Sequence, residues 1–347
     1  MSEKKEVDKK IVLELLKNPH VTAVDNYLRP RIRGGKEVPE EKCIRVYVEK
    51  KLPLSALKEE EVIPKTVGDI PTDVVESGKI VALILMPVPK SLEFDPKARV
   101  RPITGGISFG NVSITANTIG WFYVDKNGNK YIGSNAHCLT PDPFADPSQV
   151  SPKEVVQPAS YDGGKLPNDL IGHYVWHKKL EPESSGVFNK IDFALSTIEV
   201  DCDFKIWQQY TPSKLVGHLF AGSDTLTVVF KEKYVLQEGY TPLNAEVVEV
   251  KEGDWVEKWS RNGYGYAQVT STSATVKVWY GNNEFAIFTD QVLTTALARG
   301  GCSGSSVWLR PAPEVTTIKY KSVNDDWMRW LLIAERKEDC EFGNPNA

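Results

Sequence analysis

No stretch of this chain is apolar for long enough to cross a bilayer as a helix. The best candidate, Ile80 to Val88, is too short and is predicted to be a buried strand. The first ten residues, Met1-Ser-Glu-Lys-Lys-Glu-Val-Asp-Lys-Lys, lack the apolar core of a secretory leader. Unless a leader has been removed, a cytoplasmic location is therefore expected. Charge of one sign is also missing: 42 basic residues face 46 acidic ones, for a formal net charge of −4. That balance gives no electrostatic case for nucleic acid or an anionic membrane as a partner. The five cysteines are an odd, scattered set without Cys-x-x-Cys, so neither a disulfide framework nor a zinc site is expected. There is no internal sequence repeat.

What is present supports real cores, with 41% hydrophobic and 10% aromatic residues over 347 positions. That length predicts two or three compact units. Residues Lys9 to Leu16 carry an amphipathic pattern stopped near Asn18-Pro19, which predicts a short helix. Val21 to Val24 is a candidate strand, and Arg33-Gly-Gly35 a turn. In Ile44-Arg-Val-Tyr-Val-Glu apolar and polar residues alternate, which predicts one buried face. Pro53 to Glu61 reads as a helix with Pro53 in its first turn. Residues 1–98 are thus expected to form a small α+β domain, a possible route to a homo-oligomer. From Arg101 the texture turns to short β-rich segments between Gly, Asn, Asp and Pro. Thr118 to Val124, the turn Asp125-Lys-Asn-Gly-Asn129 and Lys130 to Gly133 predict a hairpin that delivers the chain to His137. Pro141 to Asp169 reads as a long surface loop. Two further units are expected, 99–205 and 206–347, each an antiparallel β-barrel.

Three segments carry chemistry. Ala298-Arg-Gly-Gly-Cys-Ser303-Gly-Ser-Ser-Val307 sets a serine among glycines. A serine hydroxyl is a weak nucleophile that needs a base and a trap for the oxyanion. Glycines let backbone N–H groups turn toward that oxyanion without Cβ clashes. Ser134-Asn-Ala-His137-Cys supplies one histidine after a strand-like entry, and Asn189-Lys-Ile-Asp192-Phe-Ala-Leu an aspartate before an alternating strand. Each also has a plainer reading: a Gly/Ser turn, a hydrogen-bonded histidine at a strand end, a turn aspartate. The order His137, Asp192, Ser303, with gaps of 192 − 137 = 55 and 303 − 192 = 111 residues, is that of chymotrypsin and not of subtilisins or α/β-hydrolases. His173 and His177 form His-x-x-x-His, but the intervening Val175-Trp176 suggests a strand, and no metal is expected there. His20 and His218 read as structural.

These blocks resemble the Ala-His-Cys, Asp-x-Ala-Leu and Gly-Asp-Ser-Gly motifs of trypsin-like serine peptidases. The chain is most similar to the signal-less group with an N-terminal accessory domain, which includes prokaryotic members and the plant Narrow Leaf proteins. Cys43-Ile-Arg-Val-Tyr-Val-Glu-Lys-Lys-Leu-Pro, Ile70-Pro-Thr-Asp-Val-Val-Glu, Gln157-Pro-Ala-Ser-Tyr-Asp-Gly-Gly and Gly253-Asp-Trp-Val-Glu-Lys extend the likeness from about residue 20 to about residue 310. The resemblance implies a mainly β fold, two six-stranded-type chymotrypsin-like barrels preceded by the α+β domain. It implies His137 as general base, Asp192 as its orienting acid and Ser303 as nucleophile. The N–H groups of Gly301 and Ser303 would form the oxyanion hole. Leu297, six residues before the serine, would lie at the base of the specificity pocket, which would favour apolar or small side chains. No cofactor is implied, and the partner is a peptide or protein substrate.

The chain also departs from the family. Cys302 stands where an aspartate is usual, and a thiol would not make the ion pair that the aspartate makes with a new N-terminus. Phe122 stands where secreted relatives often place the partner of the cysteine after the histidine, leaving Cys138 alone. Lys258-Trp-Ser-Arg-Asn-Gly-Tyr-Gly265 replaces a Gly-Arg-Thr-Thr-Gly block. Trp330-Leu-Leu-Ile-Ala-Glu would be the late strand lining the cleft, followed only by a short tail. The sequence thus implies an intracellular serine endopeptidase. Its rivals are a degenerate peptidase fold serving as a peptide-binding or assembly module, and a small-ester hydrolase using the same triad.

Overall fold

The computed structural model describes residues 5–34, 36–80, 94–208, 212–223, 225–281 and 284–311. The chain divides into two compact units, Met1–Leu309 and Arg310–Ala347, and the architecture below belongs to the first. The strand expected at Ile80 to Val88, the late strand around Trp330 and Cys340 lie outside the described residues, apart from Ile80 itself.

The fold is mainly β, built on two barrel-like antiparallel sheets. In the second half of the chain six strands close on themselves: Trp255–Ser260, Ser306–Arg310, Lys214–Gly222, Leu226–Lys231, Glu284–Thr295 and Gly263–Gly281, which returns to Trp255–Ser260. Closure removes the free edges that an open sheet would expose. Among the described residues the first-half sheet has eight strands. Its order is Thr241–Pro242, Trp121–Val124, Lys130–Ser134, Ala194–Thr197, Leu170–His177, Glu154–Val156, Ser108–Asn111 and Asn117–Thr118. Thr241–Pro242 comes from the second half, so the two sheets are laced together. Trp121, Phe122, Tyr123, Phe193, Phe220, Phe230 and Trp308 are fully buried in one shared core.

The predicted helix forms at Lys9–Leu16, with the Asp8 carboxylate accepting from the Lys10 N–H at its start. The predicted hairpin joins Trp121–Val124 to Lys130–Ser134. Three other expectations need correction. Ile44 to Val48 is buried on both faces: Ile44, Val46 and Val48 pack in one hydrophobic cluster, Tyr47 packs in another, and Arg45 is buried with it. Pro53 to Glu61 forms only two 3-10 turns, Leu54–Ala56 and Glu59–Glu61. Within Pro141 to Asp169, Glu154–Val156 enters the first sheet with Val155 and Val156 fully buried.

The N-terminal strands extend the second sheet. Val21–Asp25 pairs with Gly263–Gly281 at Ala23 with Val276, Val24 with Thr275 and Asp25 with Ala274. The buried Asp25 carboxylate at this seam accepts from Tyr47 Oη at 3.1 Å and from Ser271 Oγ, with Arg29 Nε 3.6 Å away. A carboxylate buried without such partners would cost several kcal/mol, on the order of 3–5 for a broken buried pair.

Candidate active site

His137 sits in the one-turn helix Ala136–Leu139, which follows Lys130–Ser134 directly. Asp192 immediately precedes Phe193 and the strand Ala194–Thr197, which pairs with Lys130–Ser134. Sheet pairing therefore brings two residues 55 apart in sequence into contact. His137 Nδ1 and Asp192 Oδ2 are 2.6 Å apart. The second carboxylate oxygen accepts the Ala136 N–H at 2.6 Å, and Asn135 Nδ2 donates to the Asp192 carbonyl at 2.7 Å. Tyr280, on the second barrel, donates its hydroxyl to Asp192 Oδ2 at 2.9 Å. Asp192 is completely buried, and these donors fix its orientation.

With Nδ1 bonded to the carboxylate, neutral His137 carries its lone pair on Nε2. That atom is buried and has no hydrogen-bond partner among the described residues. Burial pushes the imidazole toward its neutral form, but the Asp192 carboxylate, together with Cys138, more than offsets this and raises its pKa above the ordinary 6.5.

The serine loop is docked against the strand that leads to His137. Thr118 N–H donates to the Ser303 carbonyl at 3.0 Å, and Thr118 Oγ1 to the Gly301 carbonyl at 2.8 Å. Ser134, three residues before His137, donates to the Thr118 carbonyl at 3.0 Å. On the other side, Gly304 N–H donates to Leu219 O, and Leu219 N–H to Ser305 O, each at 2.9 Å. Gly304 has φ +85°, and a Cβ there would come within 1.8 Å of Ser134 Oγ and 2.8 Å of Thr118 O. Only glycine fits that position. Gly301, at φ +86°, lies against the Arg261 guanidinium, itself paired with the Asp162 carboxylate.

Leu297 lies in a hydrophobic cluster with Val216, Val229, Val256 and Val292, and its N–H donates to Thr227 Oγ1 at 2.9 Å. His173 and His177 have separate partners. His173 Nδ1 is 2.7 Å from Glu199 Oε1, and His177 Nδ1 is 2.6 Å from the Tyr174 hydroxyl.

Cys302 has a cationic neighbour that the sequence did not announce. Its buried sulfur lies 3.3 Å from Lys258 Nζ, inside the segment whose role could not be carried over from the family. Sequence reasoning also missed Tyr280. Tyr280 stands in no motif, Lys258 closes the Gly253-Asp-Trp-Val-Glu-Lys block without any sign of its partner, and both reach the site from strands far away in sequence.

No family model matches the chain, and no curated protein does. Among solved structures, it is similar to a glutamic acid-specific serine protease that uses a histidine triad in substrate binding. That match has 16% identity and a TM-score of 0.35, over 59% of this chain and 79% of that one. It is also similar to a Nocardiopsis protease, NAPase, with 13% identity and a TM-score of 0.33, over 60% of this chain and 78% of that one. Similarity of this size assigns neither a family nor a substrate.

Proposed function

We propose that this protein is a serine peptidase that cleaves peptide bonds through an acyl-enzyme. The observation that carries the reading is the buried His137–Asp192 pair, 2.6 Å apart, with His137 Nε2 lacking a hydrogen-bond partner among the described residues. In this reading Ser303 Oγ attacks the scissile carbonyl. Its proton passes to His137 Nε2, which then protonates the leaving amine. Asp192 stabilises the imidazolium, and the N–H groups of Gly301 and Ser303 receive the oxyanion. Water then repeats the sequence on the acyl-enzyme. The chemistry asks for no metal or organic cofactor.

The upward shift at His137 bears on a second reading, the non-catalytic binding module, because an imidazole held as imidazolium is a poor base. Labelling with a fluorophosphonate probe and peptide mapping separates the two. The expected adduct is on Ser303 alone, with Ser303→Ala folded and unlabelled. The acid limb of the labelling rate should lie above pH 6.5, since His137 must lose its proton to act. An adduct on Cys302, or equal labelling of Ser303→Ala, contradicts the peptidase reading. A folded wild-type protein that never labels and cleaves no peptide supports the binding module.

A further inference from the structure

Next to Ser303, Cys302 makes polar contacts that a neutral thiol does not explain. The residue is almost fully buried, at 1% exposure. Three donors converge on its sulfur, Lys258 Nζ at 3.3 Å and Asn262 Nδ2 and the Arg299 N–H each at 3.4 Å, and Ser260 Oγ lies 3.4 Å away. A thiol is a weak acceptor, whereas a thiolate accepts several donors. The ammonium is equally enclosed: Lys258 is 3% exposed, and its other acceptors are Ser260 Oγ at 2.7 Å and the Gly263 carbonyl at 3.2 Å, both neutral. A buried ammonium needs a counter-charge. Among the atoms it bonds, the Cys302 sulfur can carry one.

The same segment grips the loop at further points. Asn262 Nδ2 donates to the Gly300 carbonyl at 2.6 Å. Arg261 N–H donates at 3.2 Å to Thr118 Oγ1, which itself holds the Gly301 carbonyl. Lys258 to Asn262 thus contacts residues 299–302 from beneath, with the sulfur at the centre.

We propose that Cys302 is a thiolate paired with the Lys258 ammonium, and that this buried ion pair positions the Gly301–Ser303 backbone for the reaction assigned above. Burial alone would push the thiol up. Lys258, Ser260, the Arg299 N–H and Asn262 together pull it below its ordinary value. At buried Cys43 and half-buried Cys202 desolvation outweighs the nearby cations, Arg45 and Arg31 for the first and Lys130 for the second, and the thiols are pushed up to about 11 and about 12. Cys302 and Lys258 are positioning residues: they act on the serine and its N–H groups and not on the substrate.

The kinetic part of this inference rests on the peptidase reading, so the test has two arms that do not. First, the far-ultraviolet thiolate band is measured at neutral pH as the wild type minus Cys302→Ala difference. It should be present, and absent in Lys258→Met. Second, amide hydrogen exchange is followed over residues 298–305. Cys302→Ser, which is close in size but neutral, should speed exchange, and Cys302→Asp, which restores an anion, should return it toward wild type. A third arm measures labelling of Ser303 and turnover. Cys302→Ser should lower kcat about tenfold or more with KM little changed, as loss of an aligned oxyanion donor does. Cys302→Asp should retain more activity than Cys302→Ser. Absence of the thiolate band, or its persistence in Lys258→Met, overturns the ion pair. Unchanged exchange in Cys302→Ser overturns the positioning role. If the wild type never labels, the peptidase reading fails, while the first two arms still decide the pair.

Discussion

At the scale of single residues, the aspartate is tied to both barrels. Its sheet neighbours supply His137 and the Ala136 N–H, and Tyr280 reaches it from the other barrel. Tyr280→Phe removes one charge-assisted hydrogen bond, an interaction typically worth about 1.5–3 kcal/mol. The carboxylate would then share its charge with fewer donors, and its pull on the imidazolium would strengthen. The expected result is a folded variant whose acid limb of Ser303 labelling moves to higher pH than in wild type. An unmoved limb would show that Tyr280 only packs there. His137, Asp192 and Ser303 were legible in the sequence because each sits in a short block whose residue types suit its role. Tyr280 was not, because it sits in none of those blocks, and its contact is with a residue 88 positions earlier. Cys302 was visible as a departure from pattern. Its lysine neighbour was not, since Lys258 lies 44 positions earlier and the block that it closes says nothing of what the side chain meets.

At the scale of elements, sequence period reported which residues are apolar but not what covers them. Lys9–Leu16 was legible because helical period and an Asn-Pro stop agree. Ile44 to Val48 was misread because alternation suggests one open face, whereas the Arg45 guanidinium is buried against the Pro30 carbonyl at 2.6 Å. The pairing of Val21–Asp25 with Gly263–Gly281 joins segments some 250 residues apart, and no local pattern announces it. Ile287, on the Glu284–Thr295 strand, packs with Val12, Leu16 and Val24. Without residues 1–98, Ile287 and the Ala274–Val276 edge would face water, exposing apolar surface and unpaired backbone groups. A fragment of residues 99–347 is therefore expected to aggregate where the full chain stays soluble, as size-exclusion chromatography would show. A soluble, monomeric, probe-labelled fragment would mean that the N-terminal layer is a separable accessory.

At the scale of the whole molecule, a second buried polar group couples the first sheet, the second barrel and the serine loop. Tyr123, on the first sheet, donates its hydroxyl to Glu232 Oε1 at 2.6 Å. Glu232 Oε2 stands 3.2 Å from His218 Nε2, and His218 Nδ1–H donates to the Gly304 carbonyl at 2.8 Å. All three side chains are fully buried. Burial pushes the Glu232 carboxyl up to about 8 and the His218 imidazole down to about 4, so both are neutral near pH 7. The sign of each contribution to stability follows. Glu232 binds its proton more tightly when folded, so its contribution is complete below the ordinary 4.5 and is lost as pH rises through about 8. His218 binds its proton less tightly when folded, so its contribution is complete above 6.5 and is lost as pH falls through about 4. Between 4.5 and 6.5 the two slopes oppose each other, and above 6.5 only that of Glu232 remains. At 1.36 kcal/mol per pH unit, wild type should lose about 2 kcal/mol between pH 6.5 and 8 through this group. Glu232→Gln keeps a neutral side chain of the same shape and should lack that loss. Urea unfolding of both proteins at half-unit pH steps measures it. His137 titrates in both proteins, so its share cancels in the difference. Parallel stability curves above pH 6.5 would mean that Glu232 is already ionised and paired with a charged His218, making the group beneath Gly304 an ion pair and not a neutral chain.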